Sequence, residues 1–148
     1  MALLFLDFDG VLHPVHSDKA DHFCMLENFE AVMREFPGVR IVIASTWRQA
    51  YPFAYLKSLF SVDIAARIIG KTPDWEEDGD EHVRFKEIRQ FLKQPSMAGM
   101  EWIAVDDSDF EFPESCRNVL LCDPQCGFDS EMAGKLRARL NVLSIAPV

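Results

Sequence analysis

The stretch Leu3-Leu4-Phe5-Leu6-Asp7-Phe8-Asp9-Gly10-Val11-Leu12 decides the fold. Its apolar run reads as a strand buried on both faces, the kind found inside parallel sheets. Two carboxylates two residues apart follow it, and Gly10 lets the chain turn away at once. Strand alternation sends Asp7 and Asp9 to one side and Phe8 to the other. In open α/β sheets, ligands bind at that carboxyl end. Two carboxylates ~4 Å apart repel by about 4 kcal/mol at an effective dielectric of ~20, so a cation or a shared proton is expected between them. A divalent metal is the first expectation.

Working outward, Val39 to Ala44 is a second buried run and ends in Ser45-Thr46-Trp47-Arg48. A third, Trp102 to Val105, ends in Asp106-Asp107. Three apolar runs thus each deliver small polar or acidic residues at their carboxyl ends. Between them, Cys24 to Phe36, Pro52 to Phe60 and His82 to Leu92 show helical spacing, and Pro37-Gly38 closes the first. Ile64 to Ile69 reads as a short strand, Gly70 to Asp80 as a loop, Val119 to Cys122 as a further strand and Ser130 to Leu140 as a last helix. Strands alternating with helices predict an α/β fold, a Rossmann-like three-layer sandwich around a mostly parallel central sheet. Neither the span from Asp9 to Ser45 nor that from Arg48 to Arg84 has room for an inserted cap domain. The whole chain, 1–148, is expected to form one domain with an open site.

The 148 residues, 49% of them hydrophobic, suffice for one continuous core. A net charge of −9 speaks against a broad electrostatic grip on a polyanion. Cys24, Cys116, Cys122 and Cys126 form no C-x-x-C pair, so reduced thiols are expected. A zinc site on Cys122 and Cys126 lacks two further ligands at suitable spacing. The first apolar run is broken by Asp7 and Asp9, which excludes a signal-peptide core, and no run approaches the ~18 apolar residues of a membrane span. A soluble, cytoplasmic protein with no membrane partner is expected.

The order D-x-D-G, strand ending in Ser or Thr, basic residue, strand ending in paired acids resembles the haloacid dehalogenase (HAD) superfamily of phosphotransferases. The phrases DFDGVLHP (7–14), ASTWR (44–48), RFKEI (84–88), WIAVDD (102–107) and DPQCGF (123–128) are similar to its small capless branch associated with RNA-repair (Swiss Army Knife) proteins. The resemblance spans Leu3 to about Leu140.

That resemblance implies a phosphatase-like enzyme, a Mg²⁺-dependent phosphomonoester hydrolase. Asp7 is then the nucleophile that becomes an aspartyl phosphate, and Asp9 the general acid and base. The implied Mg²⁺ ligands are the Asp7 side chain, the Asp9 backbone carbonyl and the acids Asp106 and Asp107, with Asp106 favoured as the direct ligand. Ser45 or Thr46 would hold a phosphate oxygen, and Arg48 would bind phosphate or the rest of the substrate. For the third-motif cation, Arg84 matches best, ahead of Lys86 and Lys71. His13 and His16 follow the first motif, either as loop residues or lining the entrance and contacting a leaving group; Trp47 and Trp75 are placed near the opening, where a base could stack on them, whereas Trp102 reads as core. The substrate is a phosphate ester of unspecified identity. Two alternatives stand beside this reading: a non-catalytic binding or regulatory module on the same fold, and a phosphatase of 3′ or 5′ nucleic-acid ends.

Overall fold

The computed structural model describes residues 2–77, 79 and 81–143. Five parallel strands form its sheet: β1 (Ala2–Leu6), β2 (Val39–Ile43), β3 (Ile68–Lys71), β4 (Glu101–Asp106) and β5 (Val119–Leu121), in the order β3-β2-β1-β4-β5. The register pairs Leu6 with both Ile43 and Val105, so the carboxyl ends of β1, β2 and β4 lie level. Successive strands run outward from β1 to one edge and then, from β4, to the other. That reversal between β1 and β4 opens a crevice at their carboxyl ends.

The period of two along β1 divides the core. Leu4 and Leu6 face one side with Ile41, Ile43, Ile103 and Val105. There they meet α1 (Leu26–Glu35), α3 (Phe53–Ser58), α4 (Val62–Ala65) and α6 (Ser130–Val142). Leu3 and Phe5 face the other side with Val42, Ala44 and Ala104, under Ile88 and Phe91 of α5 (Val83–Leu92). The fold is therefore an α/β, Rossmann-like three-layer sandwich, and the segments between its motif strands carry helices and loops without a cap. Among the described residues no helix is long and apolar enough to cross a membrane.

Local chemistry sets the element ends. Asp129 caps α6 by accepting a hydrogen bond from the Met132 N–H at 3.0 Å. Gly127 adopts a positive φ of 70° and packs against the carbonyl of Val11, and Phe128 N–H donates to that carbonyl at 2.7 Å. The DPQCGF segment thus braces the loop that follows β1.

The expected elements shift in four places. Ile64 to Ile69 is not one strand: α4 takes its start and β3 begins only at Ile68. The apolar residues there serve two elements, which a short run does not distinguish by periodicity. The loop expected from Gly70 begins after Lys71; its Asp78 and Asp80 lie outside the described residues. A one-turn helix, α2 (Trp47–Ala50), precedes α3 in a stretch to which sequence reading assigned no element. The first helix begins at Leu26 rather than Cys24, because His22 to Met25 form turns closed by Cys24 N–H to Asp21 and Met25 N–H to Leu12.

Candidate active site

Asp7 follows the last residue of β1, and its N–H still donates to Val105 of β4 at 3.1 Å. Asp106 ends β4 one strand away. Both side chains are buried, and the guanidinium of Arg84, from the first turn of α5, lies between them. Its Nη1 is 2.7 Å from Asp106 Oδ2 and 3.2 Å from Asp7 Oδ2. The other oxygen of Asp106 accepts from the backbone N–H groups of Asp107 and Ser108, at 2.8 and 3.0 Å. The N–H of Arg84 donates to Glu111, which fixes the start of α5 over the site. Arg84 Nε is buried and has no hydrogen-bond partner among the described residues.

Asp7, Asp106 and Asp107 each offer a carboxylate oxygen, all within 4.8 Å of one another. Burial pushes the Asp7 carboxyl well above its usual range, with the charge of Asp106 adding and Arg84 opposing. Asp106 is also raised by burial, again against Arg84. One arginine therefore does not offset three acids, and the excess negative charge fits a divalent cation. The donor set is all oxygen, which suits a hard ion such as Mg²⁺. Gly10 makes room for the Asp107 carboxylate: φ is 77°, and a Cβ there would land on that group.

The Asp9 carboxylate does not join this cluster. Strand alternation fails beyond Leu6, where the ladder ends, and the chain curls so that Gly10 N–H donates to His13 O at 2.9 Å. The Asp9 side chain is half exposed, and its Oδ1 meets His13 Nε2 at 2.7 Å and Trp47 Nε1 at 3.1 Å. Phe23 N–H donates to His13 Nδ1, which leaves the ring proton on Nε2, facing Asp9. Asp9 is thereby held apart from the buried acids with Oδ2 free of these two donors. The expected crowding of Asp7 and Asp9 is corrected to two sites: a buried acid cluster and one oriented outer carboxylate.

Ser45 is fully buried beyond β2, and its Oγ accepts from Trp47 N–H at 3.2 Å. Thr46 is exposed beside it. Arg48, expected at phosphate, instead faces inward. Its Nε donates to Thr72 O at 2.9 Å, Nη1 to Ser45 O at 2.9 Å, and Nη2 to Asp74 and Glu87 at 2.9 and 2.6 Å. These acceptors surround the head group, so Arg48 positions the end of β2 against α5 rather than presenting a free fork. Burial raises the Glu87 carboxyl while Arg48 opposes the shift. Of the three cations considered for the third motif, Arg84 is the one that meets Asp7. Lys86 lies on α5 with its Nζ 5.8 Å from the centre of the Trp75 ring, and Lys71 is exposed at the end of β3.

Trp102 packs edge-on to Phe5 in the second core cluster. His16 sits exposed in the loop after β1. Cys122 is buried behind Asp106, and its thiol is pushed up to about 12, by burial first and then by nearby carboxylates. A recess of about 590 Å³, lined by Glu81, His82, Phe110, Phe112, Cys116 and Leu121 among others, includes none of the clustered aspartates. The chemistry lies beside it, at the strand ends.

The pattern of the family described as HAD domain in Swiss Army Knife RNA repair proteins matches residues 3–133, from β1 into α6. The chain belongs to that family. This HAD domain carries the family's phosphatase-like character in its fold and in the cluster of acids that can hold a metal. No curated protein and no solved structure matches it. Sequence reading considered His13 at the entrance or leaving group and Trp47 as a stacking ring, but not the role the structure gives both, which is to hold Asp9. Their signal was present in the spacing Asp9 to His13 and in the Trp that directly follows Ser45-Thr46, but it pointed only to the neighbourhood.

Proposed function

We propose that this HAD domain hydrolyses phosphate monoesters with Mg²⁺ as cofactor. The observation that carries the reading is the division of labour among its aspartates: Asp7 buried with Asp106, Asp107 and Arg84, and Asp9 outside, oriented by two N–H donors. Asp7, Asp106, Asp107 and the Asp9 carbonyl would hold Mg²⁺, which when bound neutralises phosphate charge and orients the phosphoryl group. In the first step an Asp7 oxygen bonds to phosphorus as the bond to the ester oxygen breaks, and Asp9 gives that oxygen its proton. In the second, Asp9 takes a proton from water, whose oxygen bonds to phosphorus while the bond to Asp7 breaks. Phosphate leaves and both aspartates return to their starting forms.

Because Oδ1 of Asp9 already accepts from His13 and Trp47, the proton it transfers resides on Oδ2. Arg84 steadies the charge on Asp7 and on the transferred group, and Ser45 offers a hydroxyl at the same strand-end level. A nucleic-acid end is the substrate that the family's description supports.

The test is phosphate release from a panel of monoesters with and without Mg²⁺. Turnover is expected from the native chain with Mg²⁺, and Asp7→Asn should abolish it. Tight binding of Mg²⁺ and phosphate with no turnover across the panel would favour a binding module instead.

A further inference from the structure

The side of the site next to Asp9 carries more rings than the two, His13 and Trp47, that orient its carboxylate. Trp47, Tyr51 and Tyr55 recur at every fourth residue across α2 and into α3. Their rings form a ladder, with centroids 5.1 Å apart at 29° between Trp47 and Tyr51 and 5.1 Å apart at 32° between Tyr51 and Tyr55. The inner end is packed by Phe8, Phe23 and His22, but Tyr51 is 42% exposed and Tyr55 45%. Asp9, Thr46, Trp47, Ala50 and Tyr51 together line a recess of about 250 Å³. Sites for drug-sized ligands run to roughly 300–1,000 Å³, so this one has room for a single ring system.

We infer that this recess is the leaving-group subsite and that it takes the base of one nucleoside monophosphate unit; the inference rests on the phosphomonoesterase reading. A leaving oxygen has to reach Asp9 Oδ2 to be protonated. Trp47 touches Asp9 through Nε1, and the Tyr51 ring lies beyond it, its centroid 5.1 Å from that of Trp47. A ring resting against Tyr51 is therefore joined to the leaving oxygen through a spacer. A pentose supplies one, whereas an aryl phosphate, with its oxygen on the ring, ends short of Tyr51. Flat rings on the wall accept any base, because every base has a π-face. The exposed Thr46 beside them offers a hydroxyl to the sugar or the base edge. One subsite for one base also agrees with a chain of net charge −9, which does not track a polyanion.

The test separates the base from the phosphate. The Asp7→Asn protein, with Mg²⁺, is titrated by calorimetry with adenosine 5′-monophosphate and with ribose 5-phosphate, which carries a hydroxyl in place of the base. The nucleotide should bind about 5- to 150-fold more tightly, the range that one base–aromatic stack supplies. Adding Tyr51→Leu should bring the two affinities together, and Tyr51→Phe should restore the gap. Equal affinities, no detectable binding of either compound, or a gap that survives Tyr51→Leu would overturn the subsite. Turnover by the native chain then tests the parent reading independently. A base preference in binding without hydrolysis of any ester would sink the phosphatase and keep the subsite. Hydrolysis of both compounds at equal kcat/KM would do the reverse. A mononucleotide and a 5′- or 3′-phosphorylated oligonucleotide, run side by side, tell a free nucleotide from a chain end.

Discussion

His13 Nε2 and Asp9 Oδ1 are 2.7 Å apart, and the Phe23 N–H on the far side of the imidazole fixes which nitrogen carries the proton. The ring is buried and stacked on His22 at 4.6 Å, so it has little freedom to release the carboxylate. His13→Phe preserves the aromatic volume but removes this donor. General acid–base catalysis supplies about 10²–10⁴-fold, and the loss of one of two orienting bonds should forfeit part of it, on the order of tenfold in kcat with KM little changed. Steady-state kinetics on an alkyl phosphate, whose leaving oxygen needs the proton, check this.

Arg84 joins Asp7 and Asp106 across two strands. Arg84→Met keeps much of the stem but leaves two buried acids without their cation. Removing one partner of a buried ion pair costs about 3–5 kcal/mol. Urea unfolding in the absence of metal should show a loss of that order, and Mg²⁺ should recover part of it because it binds the same acids.

The raised Asp7 and Asp106 carboxyls make stability depend on pH. An unfolded Asp titrates near ~3.9, below the folded values, so between the two the folded protein binds more protons than the unfolded chain. Their contribution to stability is complete below the unfolded value and is lost as pH rises through the folded one. The metal-free Tm should therefore fall as pH climbs from the ordinary carboxylate range toward neutrality. Asp7→Asn should flatten that fall and raise the Tm at neutral pH, and Mg²⁺ should do the same for the native chain. Thermal melts of the two proteins across pH, with chelator and with Mg²⁺, check this.

Much of this was legible in sequence wherever the signal is local. Asp7, Ser45 and Asp106 lie at or just beyond strand ends marked by apolar runs, and those runs pair in one level register. Arg84 was legible as a cation in the first turn of a helical pattern. The fate of Arg48 was not, because Thr72, Asp74 and Glu87, which surround its head group, lie on other elements. A phosphate-binding arginine and a buried brace share the same local sequence. Asp9 escaped for a related reason: period-two reasoning holds only while the strand lasts, and β1 ends at Leu6. What holds Asp9 is a tertiary contact from Trp47 and a loop closed on His13.

Gly10 is required twice, for its positive φ and for the space beneath Asp107. Gly10→Ala pays the left-handed penalty of roughly 1–2 kcal/mol and drives its methyl group into the Asp107 carboxylate. The stability loss should be accompanied by weaker Mg²⁺ binding, at least several-fold by calorimetry. A variant that lost stability but kept its Mg²⁺ affinity would remove Asp107 from the metal site.

The central claim is that Asp7 attacks phosphorus, and the most direct measurement is the mass of the protein caught between the two steps. Asp9→Asn cannot activate water, yet an aryl phosphate leaves without needing a proton, so the first step proceeds and the second stalls. Incubated with aryl phosphate and Mg²⁺, that variant should gain one phosphoryl group, mapped by peptide mass spectrometry to Asp7. Phosphate release by the native chain with no adduct on this variant, or with the adduct on any other residue, would contradict the account.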